Sequence, residues 1–140
     1  MQVSVPAVNE DKEGILSQVE CFALDMDGTI YLGEKWIDGA HEFLDRIEAS
    51  GRRYVFLTNN SSKNAAVYVE KLGRMGLTVG EEKIITSGQA TIYYLKRHFP
   101  GARVFLMGNP LLQGHFVQAG IVLEEEHPDV VVTAFDTTLY

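Results

Sequence analysis

Short runs of apolar residues alternate along the chain with segments whose apolar residues recur at helical spacing. Residues 21–24 and 54–57 are each four apolar residues long, and a polar residue follows each run. A run of this kind, without polar alternation, is typical of a strand buried on both faces of a parallel sheet. Between the two runs, one helical apolar stripe is formed by Ala40, Phe43, Leu44 and Ile47.

Signals for helix ends flank these stripes. Asp38 precedes the first stripe and predicts a side-chain N-cap, and Gly51 predicts the end of that helix. A second helix follows residues 54–57 and ends at Gly76. Its apolar positions are Ala65, Val69, Leu72 and Met75.

The alternation continues after Gly80. The pattern predicts strands over 83–86, 103–107, 121–123 and 129–134, and helices over 89–98 and 111–119. Strands that alternate with helices are the signature of an α/β fold with a doubly wound parallel sheet. Residues 1–18 are mostly polar and predict a flexible leader that ends in a short helical piece.

Composition narrows the class of protein. The chain has 140 residues, 46% of them hydrophobic, and a net charge of −7. No apolar run approaches the ~20 residues of a membrane span, and acidic proteins lack the cationic surplus that nucleic acid requires. One cysteine, Cys21, cannot form an internal disulfide. We therefore expect a cytoplasmic protein that binds neither membranes nor nucleic acid.

The segment Asp25-Met26-Asp27-Gly28-Thr29 carries the strongest chemical signal. It directly follows a predicted strand, and open α/β sheets bind their ligands at the carboxyl ends of their strands. One carboxylate there can attack phosphorus, and a second carboxylate two residues later can move the protons. Hard oxygen ligands beside a phosphate favour Mg²⁺, and Gly28 permits a tight loop around either ion.

This segment has two alternative interpretations, an ordinary turn and a calcium-binding loop. Asp-x-Asp-Gly also occurs as an ordinary turn, because short motifs of this kind are common. A calcium-binding loop of the EF-hand type requires another Asp or Asn at position 29 and Glu at position 36. Thr29 and Trp36 occupy those positions, which disfavours calcium.

The segment Thr58-Asn59-Asn60-Ser61-Ser62 follows the second predicted strand and precedes a predicted helix. Free backbone N–H groups at a helix N-terminus bind phosphate readily. For Ser61 and Ser62 we prefer the structural role of a helix N-cap. Thr58 is the last residue of the strand, and we expect it to face the same crevice as Asp25.

Together the two segments resemble the motifs of a known family. Residues 22–29, Phe-Ala-Leu-Asp-Met-Asp-Gly-Thr, are similar to the first motif of the haloacid dehalogenase-like (HAD) superfamily, and residues 55–62 are similar to its second. Residues 86–91, Thr-Ser-Gly-Gln-Ala-Thr, resemble subclass IIA, which contains NagD-like sugar phosphatases and p-nitrophenyl phosphatases. The resemblance extends from Val19 to Tyr140.

The resemblance implies roles for individual residues. Asp25 would be the nucleophile and a Mg²⁺ ligand, and Asp27 would be the general acid and base and give Mg²⁺ its backbone carbonyl. Phosphate would be bound by Thr58, Asn59 and Asn60, together with Gly28. Residues 28–33 would form a flap beside the site. The substrate would be a small phosphorylated metabolite, and the family is compatible with a homodimer formed through the cap.

The sequence departs from the family in its second half. Members have a third-motif Lys and a fourth-motif Gly-Asp-x-x-x-x-Asp, but no Gly-Asp pair occurs from Ser87 to Tyr140, and Lys96 lies in a predicted cap helix. We therefore expect the N-terminal part of such an enzyme. Its leader would span 1–18, the first half of a Rossmann-like HAD core 19–86, and the beginning of an α/β C2-type cap 87–140.

The predicted function is Mg²⁺-dependent hydrolysis of small phosphomonoesters through an aspartyl-phosphate, with little or no activity in the isolated chain. A phosphotransferase or ion pump of the same fold is disfavoured, because those proteins lack an acid at the position of Asp27. The alternative from another class is an inert binding or interaction module with weak affinity for metal or phosphate.

Overall fold

Strands and helices alternate through the computed structural model of the chain, which describes residues 12–135. Strand and helix boundaries agree with the predicted pattern to within about two residues, apart from the small strands of a hairpin. In chain order the elements are α1 (Lys12–Gln18), β1 (Cys21–Asp25), β2 (Tyr31–Leu32), β3 (Lys35–Trp36), α2 (Ala40–Ala49), β4 (Arg53–Thr58), α3 (Ala65–Arg74), a 3-10 helix (Glu81–Lys83), β5 (Ile84–Thr86), α4 (Ser87–His98), β6 (Arg103–Met107), α5 (Pro110–Gln118), β7 (Val122–Leu123) and β8 (Val130–Thr133).

The first sheet is parallel and has the strand order β1-β4-β5. Asp25 at the end of β1 pairs with Leu57, and Thr58 at the end of β4 pairs with Thr86 of β5. The carboxyl ends of the three strands therefore meet at one edge of the sheet. This arrangement confirms the predicted α/β fold and brings the two motif segments to the same edge.

Helices α2 and α3 cover one face of this sheet. Helix α2 connects β1 to β4, and α3 connects β4 to β5, so the chain crosses the sheet in the same direction both times. Because such crossovers are right-handed, both helices lie on the same side of the sheet. The core between helices and sheet contains Leu44, Ile47, Tyr54, Phe56, Tyr68, Leu72 and Ile84. Fully burying a side chain of this size stabilises the fold by about 1.5–3 kcal/mol.

The opposite face of the sheet is open within residues 12–135, so the expected burial of these strands on both faces is not observed in the described part of the chain. Burial alternates along β4: Tyr54 and Phe56 are buried, whereas Leu57 is 39% exposed. Cys21, at the start of β1, is exposed. An uninterrupted apolar run does not reveal which face of the strand the helices of this part of the chain cover.

The second sheet is also parallel, with the order β7-β6-β8. Val104 and Leu106 of β6 pack against Leu112 and Phe116 of α5, together with Leu95 of α4. This cluster of buried residues is separate from the core of the first sheet. Two cores support a division near residue 86, but the predicted domain boundaries stay a prediction.

The N-caps of α2 and α3 are not the residues that the sequence predicted. Gly39, not Asp38, is the N-cap of α2, and no side chain caps that helix. Helix α3 begins after Asn64, whose side-chain oxygen accepts from the backbone N–H of Val67. The serines at 61 and 62 therefore lie in the loop before the helix and do not cap it.

Gly51 follows α2 with a φ of 72°, as expected for a residue that ends a helix in the left-handed region. The first eleven residues of the predicted leader lie outside the described residues, as do residues 136–140. The remainder of the leader forms α1, which buries none of its side chains. Among residues 12–135, no helix has the length and apolar character needed to cross a bilayer.

Candidate active site

Asp25 and Asp27 flank a buried methionine where β1 ends. Met26 is fully buried, whereas Asp25 is exposed and the side chain of Asp27 is 60% exposed. Side chains alternate in direction along an extended chain, so anchoring Met26 in the core turns both carboxylates away from it. The pair predicted from the sequence is thus presented at the carboxyl edge of the sheet.

The loop after Asp27 curls around the backbone carbonyl of Met26. The N–H groups of Thr29 and Ile30 donate to this oxygen at 3.1 and 3.0 Å. Gly28 has a φ of 82°, and its own N–H donates to the carbonyl of Tyr31 at 2.8 Å. A residue with a Cβ is strained in this conformation, so glycine is required by the turn.

Residues 31–36 form a hairpin beside the two carboxylates. Strands β2 and β3 are antiparallel, and Tyr31 pairs with Trp36. The indole Nε1 of Trp36 donates to the backbone carbonyl of Met75 at 2.8 Å. The hairpin is therefore fixed against the end of α3 and stands at the edge that carries the aspartates.

A lysine that the sequence analysis did not identify contacts this group. Lys71 of α3 places its Nζ 3.8 Å from Asp27 Oδ1 and 3.8 Å from the centroid of the Tyr31 ring. Burial, together with the negative charge of Asp27, raises the pKa of the Tyr31 phenol, which keeps that hydroxyl protonated. Only the tertiary structure brings α3 and the first motif together, and no local spacing signals the contact.

Thr58 ends β4 as predicted, but its side chain faces the helix layer. It is 7% exposed, and its Oγ1 lies 3.2 Å from the hydroxyl of Tyr68 on α3. Burial raises the pKa of Tyr68, so its phenol stays protonated. The N–H of Asn60 donates to Thr58 Oγ1 at 3.2 Å, which turns the following loop back over the strand end.

The loop after β4 is held by its own side chains. Asn60 Oδ1 accepts from both the N–H and the hydroxyl of Ser62, at 2.9 and 2.6 Å. The carbonyl oxygen of Asn59 accepts from the hydroxyl of Ser87 at 3.0 Å. These bonds occupy the side-chain oxygen of Asn60 within the loop, and its backbone N–H already donates to Thr58 Oγ1.

The same loop also contacts the second sheet and its helix. Asn109 donates through Nδ2 to the carbonyl of Ser62 at 3.0 Å, and the N–H of Phe135 donates to Ser61 Oγ at 3.0 Å. Asn64 Nδ2 lies 3.3 Å from His115 Nε2. A cavity of about 210 Å³ adjoins Asn59 at this junction. The segment 59–64 therefore links the two sheets.

The donor set at the aspartates suits a hard cation that keeps part of its water shell. Within residues 12–135, no group of three or more His, Cys, Asp or Glu side chains is placed to hold a metal ion. Proteins commonly hold Mg²⁺ through one or two carboxylates, with waters and substrate phosphate completing the shell. Asp25 and Asp27 fit that pattern, and a site built from protein ligands alone is not required.

Comparison with known proteins relates this geometry to a family. The family model for haloacid dehalogenase-like hydrolases matches residues 22–122. An acid sugar phosphatase of Staphylococcus aureus is 36% identical over 122 residues, which are 86% of this chain and 47% of that protein. The chain thus spans about half the length of the curated relatives it matches.

Solved structures of similar proteins share the fold. A 4-nitrophenylphosphatase from Thermotoga maritima is 44% identical, with a TM-score of 0.84 over 90% of this chain and 48% of that one. NagD from E. coli K-12 is 27% identical, with a TM-score of 0.74 over 82% and 46% of the two chains. Since the family model covers most of the chain, this protein belongs to the haloacid dehalogenase-like hydrolases, in their NagD-like branch.

Proposed function

We propose that this chain carries the nucleophile and the general acid of a phosphatase that hydrolyses small phosphomonoesters through an aspartyl-phosphate. The observation that carries the proposal is the placement of Asp25 and Asp27 on either side of buried Met26, at the carboxyl edge of a parallel sheet. Two carboxylates turned to solvent at a ligand-binding edge suit phosphoryl transfer better than they suit a turn.

In the first step, a carboxylate oxygen of Asp25 attacks phosphorus. A bond forms between that oxygen and phosphorus while the bond from phosphorus to the ester oxygen breaks. Asp27, in its protonated form, gives its proton to the leaving alkoxide, which departs as an alcohol. The step leaves Asp25 as an acyl phosphate and Asp27 as a carboxylate, so atoms and charge balance.

In the second step, water attacks the phosphorus of the aspartyl-phosphate. Asp27 takes a proton from this water, the bond between phosphorus and Asp25 breaks, and inorganic phosphate leaves. Asp25 returns to its carboxylate form and Asp27 to its acid form. The exposure of Asp27, 60% of its side chain, gives water direct access to the general base.

The loop after β4 would hold the phosphoryl oxygens. When Tyr68 donates to Thr58 Oγ1, that oxygen accepts from both Tyr68 and the N–H of Asn60, and the threonine proton is left for a phosphoryl oxygen. The backbone N–H group of Asn59 would contribute a further donor, whereas the N–H of Gly28 already donates to the carbonyl of Tyr31. The side chain of Asn60 serves instead to shape the loop, since Ser62 already occupies its oxygen.

Mg²⁺ would be held by the carboxylate of Asp25 and the backbone carbonyl of Asp27. When bound, it supplies positive charge that offsets the repulsion between the attacking carboxylate and the anionic phosphoryl group. The donor types support this assignment, because carboxylate and carbonyl oxygens are the ligands that Mg²⁺ prefers.

The substrate class proposed is a small phosphorylated metabolite such as a sugar phosphate. It rests on the relatives named acid sugar phosphatase and 4-nitrophenylphosphatase, both of which are about twice as long as this chain. A homodimer formed through the second sheet and its helices remains a prediction of the family resemblance.

An assay with p-nitrophenyl phosphate and Mg²⁺ tests the proposal. Nitrophenolate release by the wild-type chain is expected to exceed that of Asp25→Asn, and Asp38→Asn serves as a control at an aspartate outside the site. Reduction with borohydride, which converts an acyl phosphate to an alcohol, is expected to mark residue 25 in the wild type only. Turnover retained by Asp25→Asn would contradict the proposal.

The trapping experiment also separates the proposal from the alternative of a binding module. A module that only binds phosphate would protect the chain against unfolding in the presence of inorganic phosphate, without labelling of Asp25. A phosphatase forms the acyl phosphate in its first step, so labelling of Asp25 is expected even when overall turnover is slow.

A further inference from the structure

We propose that Lys71 is a positioning residue for Asp27, which it holds in place from α3 while its own ammonium is fixed against the ring of Tyr31. The proposal rests on the proposed function, because it concerns the residue assigned as general acid and base. Lys71 lies outside both motifs of the sequence, and nothing in those motifs assigns it a role.

The burial of Lys71 is the first observation. Its side chain is 16% exposed, less than any other cation that forms an ion pair within residues 12–135. Lysine is rarely buried to this degree unless its charge has partners. The partners here are the carboxylate of Asp27 and the face of Tyr31, each at 3.8 Å from Nζ.

The rigidity of the elements that carry these groups is the second observation. Leu72, the next residue on α3, is fully buried, and so is Tyr31 on the hairpin. The hydrogen bond from Trp36 to the carbonyl of Met75 ties the hairpin to the end of α3. The stem of Lys71 and the ring of Tyr31 are therefore held together by contacts that do not involve Asp27. The position of the Lys71 ammonium thus does not depend on the carboxylate that it contacts.

The consequence concerns the geometry of proton transfer. The side chain of Asp27 is 60% exposed, and Lys71 is the only cation within ion-pair distance of it in the part of the chain described here. Without that contact, the carboxylate samples more rotamers, and fewer of them point toward the leaving oxygen. A general acid that is misplaced slows the chemical step and leaves substrate binding unchanged.

A matched pair of lysine variants tests this role. Lys83 has the same kinds of contact as Lys71, with Nζ 2.8 Å from Glu48 Oε1 and 4.0 Å from the centroid of the Tyr54 ring, but it lies outside the proposed site. Methionine keeps the apolar stem of either lysine and removes the charge. Lys71→Met is expected to lower kcat for glucose 6-phosphate, whose leaving alkoxide needs the proton of Asp27, about tenfold with KM changed less than about twofold.

Two further variants give the contrast. Lys83→Met is expected to leave kcat and KM unchanged, and Lys71→Arg, which keeps a cation over the ring, is expected to recover most of the lost kcat. If Lys71→Met and Lys83→Met reduce the urea midpoint alike and neither changes kcat, Lys71 is merely structural and the proposal is overturned.

A double-mutant cycle in urea decides the question without turnover. Lys71→Met, Asp27→Asn and the combined variant are compared with the wild type, and the two residues are expected to couple by about threefold in the unfolding equilibrium constant. If the wild-type chain shows neither turnover nor borohydride labelling of Asp25, the proposed function fails, and this coupling alone determines whether Lys71 holds Asp27. Additive effects would overturn the positioning role in either case.

Discussion

The indole N–H of Trp36 donates to the backbone carbonyl of Met75 at 2.8 Å, across a separation of 39 residues. This bond joins the hairpin beside the aspartates to the end of the helix that carries Lys71. Met75 is the C-cap of α3, a position whose neighbouring carbonyls lack helical partners. One side-chain donor therefore both completes a helix end and places the hairpin at the candidate site.

The first prediction follows from that bond. Trp36→Phe keeps an aromatic ring and removes the donor, so the free energy of unfolding is expected to fall by about 1 kcal/mol. Urea unfolding followed by circular dichroism measures the change. Tyr94→Phe, at an exposed ring of α4, is the control and is expected to change stability by less than ~0.5 kcal/mol. Equal stability of Trp36→Phe and wild type would show that the bond contributes nothing.

The cap of α3 gives a second prediction. Asn64→Ala removes the acceptor for the N–H of Val67 and the contact with His115, and is expected to cost about 1 kcal/mol of stability. Asn64→Ser keeps an uncharged cap acceptor and removes the amide donor toward His115, so comparing the two variants in urea separates the cap from the contact between sheets. Asp38→Ala is the control, because Asp38 caps no helix in this structure.

The ion pair between Arg103 and Asp129 predicts a pH dependence of stability. Hydrogen bonds from the Arg103 guanidinium and backbone N–H lower the pKa of Asp129 from 3.8 to about 2. Because the folded state has the lower pKa, the pair stabilises the fold above pH 3.8, and this contribution is lost as the pH falls toward 2.

Asp129→Asn should therefore lower the urea midpoint at pH 7, with a difference from wild type that shrinks below about pH 4. Glu125→Gln, in the exposed run before Asp129, is the matched control and is expected to leave the midpoint unchanged at each pH. A difference that stays constant down to pH 3 would mean that the ionised pair is not the source of the stability.

The assignment of Asp27 as general acid predicts a dependence on the leaving group. Nitrophenolate leaves without a proton, whereas the alkoxide of a sugar phosphate requires one, so Asp27→Asn should slow a sugar phosphate about tenfold more than p-nitrophenyl phosphate. The ratio of kcat/KM for the two substrates measures this effect. Asp25→Asn should abolish both reactions alike, and equal losses for both substrates in Asp27→Asn would remove the general-acid role.

Much of the fold could be predicted from local patterns because those patterns reflect local physics. The run at residues 54–57 and the stripe from Ala65 to Met75 give the strand and helix of one βα unit, and α3 and β4 form there. The caps were less predictable. Asp38 and Ser62 have side chains suited to capping, but the backbone places Gly39 and Asn64 at the helix ends.

The sequence by itself determined where the candidate site residues lie, at the strand ends. Asp25 and Thr58 were predicted because each directly follows an apolar run, and Asp27 because it comes two residues after Asp25. The ends of parallel strands meet at one edge of a sheet. That relation needs only strand order, which the alternation of strands and helices supplies.

The tertiary structure alone decided how those residues are surrounded. It turned Thr58 toward Tyr68, left one face of the first sheet open around Leu57, and brought Lys71 beside Asp27. These contacts join residues that are 10 to 44 positions apart in the chain, so they depend on how the helices pack on the sheet. Local spacing carries no information about such packing, because the same amphipathic helix can dock in several rotations that bury a similar apolar area.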